Sequence, residues 1–193
     1  FGASPLFWAL SKPDNVEILI KLGSDVNERN IDGNTPLLSI TSNWNYEETT
    51  VIKQLLLAGA NVNEKTDYGS TPFGLALAFK NNKQILKILL ENGADVKLDG
   101  QGGEFVTNSN LHTAASLLWD TEILQLLIDE GLDVNMLGVN GQTPLHNVIG
   151  SQTAISQGFG ADSYNTVKFL LEKGADTSIK DDFGLTALDW TSD

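Results

Sequence analysis

The 193-residue sequence predicts an all-α solenoid in which helix-turn-helix units stack and β-hairpin loops project from one edge. The first observation behind this prediction is a leucine-rich string that recurs along the chain, with copies ending at Gly23, Gly59, Gly93, Gly131 and Gly174. The second observation is another short string, which starts with Thr or Ser and continues with Pro in most copies. It alternates with the leucine-rich string, and its copies start at Ser4, Thr35, Thr71, Ser109, Thr143 and Thr186. The repeat length is about 33 residues, with insertions, which is typical of stacked helical units.

Each repeat is predicted to contain two helices. The hydroxyl of the Thr or Ser can cap free amide groups, and the proline that follows suits the first turn of a helix, so this string begins the first helix. The leucine-rich string forms the second helix, because its apolar residues fall on one face at helical spacing, as in Val51, Ile52, Leu55 and Leu56.

A hairpin is predicted to follow the second helix. The glycine at the end of the helix can take the left-handed conformation that terminates helices. The next residues, as in 59–69, are predicted to form two extended segments joined by a turn that contains a second glycine. This glycine is found at Gly33, Gly69, Gly141 and Gly184. Since no single repeat can bury both faces of its helices, stacking of neighbours is expected to complete the core.

These strings closely resemble the ankyrin repeat, whose pattern is Asp-x-x-Gly-x-Thr-Pro-Leu-His-x-Ala, then helix, then Leu-Leu-x-x-Gly-Ala-Asp-Val-Asn. Residues 140–146 and 131–135 match it nearly residue for residue. The resemblance covers the whole chain and implies one array. Its predicted repeats are 1–29, 30–65, 66–97, 98–137, 138–180 and a partial repeat 181–193.

Three segments depart from the pattern. The third hairpin holds four extra residues in the glycine-rich stretch 99–104, and Asn110 replaces the helix-starting proline. Other insertions lie between the two helices of a repeat, at 43–46 and 152–163. Insertions in repeat proteins often carry function, but loops also lengthen at little entropic cost. Trp8 and Trp190, at equivalent positions in the first and last repeats, are expected to cover the ends of the core.

Composition excludes several classes of function. Lys and Arg total 12 against 25 Asp and Glu, and the resulting net charge of -13 would repel a nucleic acid. The chain has no cysteine and no apolar stretch long enough to span a membrane. His112 and His146 fall at the family's Thr-Pro-Leu-His position, where the resemblance implies a structural hydrogen bond. We therefore expect no catalytic residues, no cofactor and no metal.

The resemblance implies a binding surface made of the hairpin tips and the first helices, where family members bind proteins. The candidate partner-binding residues at the tips are Asp32, Asn34, Asp67, Tyr68, Asn140 and Gln142. Three successive repeats also place an aromatic near the end of the first helix, at Trp44, Phe79 and Trp119, and Tyr46 could extend this row. Alternatively, these rings fill space under the inter-helix loops.

The charge pattern indicates a partner. No Lys or Arg occurs from Leu98 to Val167, whereas eight acidic residues do, and such a field speeds association with a basic protein. The alternative is that the acidic surface serves solubility. We expect a non-catalytic protein-protein interaction module that is monomeric in isolation and binds neither nucleic acid nor membrane. Two alternatives stay open: an inhibitor or immunity-type antagonist of one enzyme, and the targeting arm of a larger enzyme or secreted effector.

Overall fold

The computed structural model describes residues 4–42, 49–78, 83–98, 108–117, 121–151 and 161–191. Within these ranges the chain is helical, with one isolated β-bridge between Lys180 and Thr186, as the all-α prediction requires. The predicted insertions at 43–46 and 99–104 lie outside the described residues, and so do residues 152–160 of the insertion predicted at 152–163. The last three residues of that insertion are wrongly predicted, because they form the start of the helix Ala161–Glu172. The helices are α1 Pro5–Ala9, α2 Pro13–Lys21, α3 Pro36–Thr41, α4 Thr49–Leu57, α5 Pro72–Leu77, α6 Lys83–Glu91, α7 Asn110–Ser116, α8 Thr121–Asp129, α9 Pro144–Gly150 and α10 Ala161–Glu172.

The chain divides into two compact units, an amino-terminal unit of residues 1–98 and a carboxy-terminal unit of residues 99–193. In the amino-terminal unit the first helices α1, α3 and α5 pack on one another in order, and the second helices α2, α4 and α6 do the same. In the carboxy-terminal unit α7 packs on α8 and α9, and α10 packs on both α8 and α9. Each unit therefore has the two helical layers that the repeat pattern predicts, while one continuous array stays a prediction.

The first helices begin as the capping residues predict. The hydroxyls of Thr35 and Thr71 accept hydrogen bonds from the N–H groups of Leu38 and Gly74, at 3.3 and 3.2 Å, and proline follows each cap. Ser4 is an exception, because its side chain makes no capping bond and its buried hydroxyl has no partner in the described residues.

The core of each unit consists of the apolar faces of both helical layers. Val51, Ile52 and Leu55 of α4 are fully buried between α2 and α6. In the carboxy-terminal unit the buried side chains of α8 include Ile123, Leu124 and Leu127. Burying a side chain of this size stabilises a fold by about 1.5–3 kcal/mol, so these layers supply the main favourable free energy of folding.

Three asparagines, which we call the inter-repeat asparagines, tie each repeat to the next. Asn27, Asn63 and Asn135 each donate from Nδ2 to the carbonyl of the next helix-ending glycine, at 3.0 Å. Each Oδ1 also accepts from the backbone N–H two residues beyond that glycine, at 2.8 Å. In the third repeat Lys97 stands at this position, and an ammonium group has no acceptor for an N–H group.

The two terminal tryptophans differ. Trp190 packs edge-on to His146 with ring centroids 6.5 Å apart, and a Cβ at Gly150 would lie 2.6 Å from its Cε3. Its indole N–H donates to Asp181 Oδ2 at 3.1 Å. The expectation that Trp8 also covers the core is wrong. Trp8 lines an open groove of about 300 Å³ with Lys12 and Ile18, and its ring stays 72% exposed.

We expect Asn63→Ala to lower the free energy of unfolding by about 1–3 kcal/mol, because it removes two hydrogen bonds to backbone groups and each such bond contributes about 0.5–1.5 kcal/mol. Urea unfolding followed by far-UV circular dichroism measures this change. Asn15→Ala is the matched control, since Asn15 is exposed on α2 and makes no side-chain hydrogen bond in the described residues. It should change the stability by less than about 0.5 kcal/mol. Equal losses in both variants would contradict the role of Asn63.

Candidate functional site

Four described hairpins share one backbone geometry. Their first residue donates its N–H to the carbonyl four residues later, at 2.8–2.9 Å, and accepts at its own carbonyl from the glycine between them. These glycines have φ between +68° and +82°, so a side chain there would strain the turn. The hairpins are 30–34, 66–70, 138–142 and 181–185.

The first side chain of a hairpin also fixes its turn. Asn30 Oδ1 accepts from the N–H groups of Asp32 and Asn34, at 3.0 and 2.9 Å. Asp181 Oδ1 does the same for Phe183 and Leu185, at 3.0 and 2.9 Å. The tip backbone is therefore held by hydrogen bonds within the hairpin, and it does not depend on the outward-facing tip side chains.

In hairpin 138–142, the side chain that accepts a hydrogen bond from the turn backbone comes from the preceding repeat. The hairpin begins with Gly138, which has no side chain, and Asn108 Oδ1 accepts the N–H of Val139 at 3.1 Å instead. A Cβ at Gly138 would lie 2.5 Å from that Oδ1 and 2.8 Å from His112 Nε2. Glycine is thus required at position 138 by the close approach of these two side chains.

The tips expose large apolar side chains. Tyr68 is 91% exposed, Ile31 76% and Phe183 68%. Beside each of them stands a carboxylate, from Asp67, Asp32 and Asp182, respectively. Isolated exposed apolar residues are common, but here they recur at the tips of successive hairpins, where the backbone is held in place.

Four of the predicted partner-binding residues line one groove in the amino-terminal unit. Asp32, Asn34, Asp67 and Tyr68 surround a cavity of about 510 Å³. The other residues that line this groove, which we call the tip groove, are Ile31, Ser42, Thr66, Ser70 and Leu75. It therefore joins two hairpin tips to the helices α3 and α5, and it falls within the size range of ligand sites in proteins.

The basic residues beside the tip groove already have partners. Arg29 forms an ion pair with Glu64 and donates to the carbonyls of Gly33 and Lys65. Lys65 donates its ammonium group to the carbonyl of Leu98, at 3.0 Å. Asp67 has no hydrogen bond or ion pair within the described residues. The tip groove is therefore lined by two carboxylates and by no cationic side chain.

The two predicted residues of the carboxy-terminal unit serve its hairpin. Asn140 adopts a left-handed conformation, with φ of 57°, and its carbonyl accepts from the N–H of Asp182 at 2.9 Å. The carbonyl of Gln142 accepts from Gly138 and from His112 Nε2. Neither residue belongs to the tip groove.

The predicted aromatic row lies outside the described residues. Trp44, Tyr46, Phe79 and Trp119 all fall there, so their part in binding stays a prediction. Conversely, Leu75 lines the tip groove, although it is not among the residues predicted to bind a partner. The sequence position of Leu75 could have indicated its part in the groove. Leu75 stands at the variable x of the Thr-Pro-Leu-His-x-Ala pattern, and the side chain at x points away from the core.

Both histidines are buried and fully engaged. Ser109 donates its N–H to His112 Nδ1 at 3.3 Å, which leaves the proton on Nε2 to be donated to the carbonyl of Gln142 at 2.9 Å. His146 makes the same bonds to Thr143 and to the carbonyl of Leu185. Burial lowers the pKa of His112 below 6.5, against the opposing effect of its hydrogen bonds to backbone carbonyls. These geometries indicate structural residues rather than proton-transfer groups.

Neither a metal site nor a membrane span emerges from the described residues. No group of three or more His, Asp or Glu side chains there is arranged to hold a metal ion. None of the helices described above combines the length and the apolar character that crossing a bilayer demands.

Comparison with known families and structures matches ankyrin repeats (3 copies) at residues 6–100 and a further ankyrin repeat at 140–182. The crystal structure of EF0377, an ankyrin repeat protein, superposes with a TM-score of 0.80 and 26% identity, over 98% of this chain and 91% of that one. The ankyrin repeat domain of Bcl-3 gives a TM-score of 0.75 at 23% identity, over 98% of this chain and 78% of that one, and bears on the fold alone.

Curated relatives are much longer than this chain. Rabankyrin-5 of Mus musculus is 33% identical over 126 residues, which are 61% of this chain and 10% of that protein. Ankyrin repeat and SOCS box protein 6 of Homo sapiens is 36% identical over 101 residues, 50% of this chain and 24% of that protein. The E3 ubiquitin-protein ligase KEG of Arabidopsis thaliana is 26% identical over 191 residues, 97% of this chain and 11% of that protein.

We expect the free energy of unfolding to fall as the pH is lowered from about 7.5 to about 5.5. Because burial holds the pKa of folded His112 below 6.5, the unfolded chain takes up protons first. The stability contributed by the neutral imidazole is complete above pH 6.5 and is lost as the pH falls towards the folded pKa, by up to about 1.4 kcal/mol per unit between the two pKa values.

Urea unfolding across this pH range measures the change, and an NMR titration of the imidazole carbons reports the pKa of His112 directly. Hydrogen bonds to the carboxylates of Glu17, Asp176 and Asp189 lower the pKa of these groups, away from this pH range. The pKa of Asp189, for example, is lowered by hydrogen bonds from the N–H and hydroxyl of Thr186. A titration midpoint for His112 at or above 6.5 would contradict the prediction.

Proposed function

Because the chain belongs to the ankyrin-repeat family, whose repeats are protein-protein interaction modules, we propose that it binds a protein partner through its hairpin tips and first helices. The resemblance found in the sequence and the all-α solenoid fold are thereby confirmed. The chain spans about a tenth of the length of Rabankyrin-5.

The observation that supports this function most strongly is the exposure of apolar side chains on rigid tips. Ile31 and Tyr68 stand on hairpins whose backbone groups are paired, so a partner that covers them orders little additional backbone. Tyrosine also buries a large area with few rotatable bonds and offers a hydroxyl group to the partner. We therefore assign the tips, rather than the exposed faces of the second helices, as the principal contact surface.

We propose further that the partner is basic at the contact surface. The tip residues include the carboxylates of Asp32, Asp67 and Asp182, and the chain carries a net charge of -13. A field of this sign accelerates the encounter with a cationic surface, and salt screens it within about 10 Å at 0.1 M. Association should thus be slower at high ionic strength.

We propose a non-catalytic role for this part of the chain, since both histidines are used in structural hydrogen bonds. The targeting arm of a larger enzyme is a second candidate. It is favoured by the likeness to a ubiquitin ligase of which the matched region forms only 11%. An antagonist of a single enzyme would use the same surface, and one-to-one tight binding would distinguish it.

We expect the variant Ile31→Ser/Tyr68→Ser to lose the partner that the wild-type chain captures from a lysate of its source organism. The reason is that both exposed apolar anchors are removed while the hairpin hydrogen bonds remain. Quantitative mass spectrometry of the captured proteins at low and high salt measures this loss, and the dissociation constant of the purified partner should rise at least about tenfold.

Leu22→Ser/Leu57→Ser is the matched control for this experiment. Leu22 and Leu57 are 76% and 88% exposed, follow or end second helices, and lie away from the tips. The control should retain the partner. If the tip variant captures the same proteins as the wild-type chain, or if both variants lose them equally, binding through the tips is contradicted.

A further inference from the structure

We propose, on the basis of the protein-binding function inferred above, that the tip groove binds an extended segment of the partner that presents a lysine or arginine next to an apolar residue. The cation would lie between Asp32 and Asp67, and the apolar side chain would pack on Ile31, Tyr68 and Leu75.

The position of the two carboxylates is the first support. Asp32 directly precedes Gly33, and Asp67 Oδ2 lies 2.9 Å from the point where a Cβ of Gly33 would stand. The absence of a side chain at Gly33 thus lets the carboxylate of one hairpin approach the tip of the preceding hairpin. Both carboxylates therefore stand beside Gly33, Asp32 as its neighbour in the chain and Asp67 against its Cβ position, and a cation placed between them is attracted by both.

The second support is that these carboxylates are not neutralised by the described chain. Asp32 accepts only a long hydrogen bond, 3.5 Å from Asn30 Nδ2, besides its own backbone contacts. Arg29 and Lys65 stand nearby in the sequence, but their charged groups are bound to Glu64 and to backbone carbonyls. A charge-assisted hydrogen bond from a partner is therefore available to both carboxylates.

The third support is the apolar wall of the same groove. Ile31 and Tyr68 are exposed, and Leu75 of α5 is half-buried in the lining of the groove. The aliphatic stem of a lysine or arginine packs on such a surface while its charged end reaches a carboxylate, and the ring of Tyr68 attracts a cation placed over its face. An extended segment suits the groove because Asn34, Thr66 and Ser70 offer polar groups along it.

The carboxy-terminal unit provides an internal comparison. Asp182 and Phe183 correspond to Asp67 and Tyr68, and the Asp182 carboxylate lies 2.6 Å from the Cβ position of Gly141. The residue equivalent to Asp32, however, is Asn140. At the tip positions, this pair of hairpins carries only the carboxylate of Asp182 where the tip groove carries those of Asp32 and Asp67, because Asp181 at the start of its hairpin binds the turn N–H groups and the Trp190 indole. Asp32→Asn in the tip groove reproduces the side chain of Asn140.

A selection of random peptides displayed on phage, carried out on the whole chain, tests this inference. Lys or Arg beside Leu, Ile or an aromatic residue should be enriched. The affinity of the leading peptide, measured by fluorescence anisotropy, should fall at least about tenfold with Asp32→Asn/Asp67→Asn and also with Tyr68→Ser. The Asn variant keeps the side-chain size, and circular dichroism checks that each variant is folded.

Asp14→Asn/Glu91→Gln is the charge-matched control, because it removes two exposed carboxylates of the same unit outside the tip groove. Its affinity for the peptide should stay within about twofold of wild type. An equal loss of peptide affinity in the control would show that the effect comes from the net charge alone, and it would overturn the inference. Enriched peptides without a basic residue, or no enriched peptide, would overturn it too.

These outcomes are separate from a failure of the proposed function, which the capture experiment with Ile31→Ser/Tyr68→Ser decides independently. If Ile31→Ser/Tyr68→Ser loses the partner but the enriched peptides contain no basic residue, protein binding through the tips is supported and the basic segment is rejected. Self-association of the wild-type chain in sedimentation, abolished by Asp32→Asn/Asp67→Asn, would instead identify a second copy as the occupant and overturn the inference.

Discussion

Within each unit, backbone groups of one repeat obtain hydrogen-bond partners from side chains of the preceding repeat, and the rest of the unit depends on this pairing. Asn63 binds both the carbonyl of Gly93 and the N–H of Asp95, and His112 binds the carbonyl of Gln142. Each of these bonds contributes about 0.5–1.5 kcal/mol and forms only when the next repeat stands in one position, so together they set where that repeat can stack. Apolar burial supplies most of the stability, whereas these polar contacts determine the register between repeats.

The same pairing leaves the hairpin tips available for recognition. Because Asn30 and Asp181 satisfy the tip N–H groups, the side chains of Ile31 and Phe183 have no part in holding the turn, and that of Asp32 accepts only one long bond from Asn30. Such side chains can differ between proteins without loss of the fold. Because other groups hold the turn, a tip can carry an exposed aromatic ring beside a carboxylate, a combination that does not stabilise the folded chain.

The third repeat differs from the first, second and fourth repeats at the inter-repeat asparagine position. Lys97 stands there, and its side chain can donate a hydrogen bond but cannot accept one. The two units also differ in the charge of their tips, with Asp32 in one and Asn140 at the equivalent position in the other. Repeats of one family thus differ at the few positions where a single side chain alters pairing or charge.

Local patterns in the sequence determined the repeat, its helices and its hairpins, because Thr-Pro caps such as Thr35 and helix-ending glycines such as Gly59 act within a few residues of themselves. They also located Asp32, Asn34, Asp67 and Tyr68 at the tips. Only the tertiary structure decided that these four share a groove with Leu75, that Asp67 rests against Gly33, and that Trp190 is packed while Trp8 is exposed. Those facts depend on how one repeat is placed against the next, which is set by the packing of whole helices and by hydrogen bonds between residues 30 to 34 positions apart.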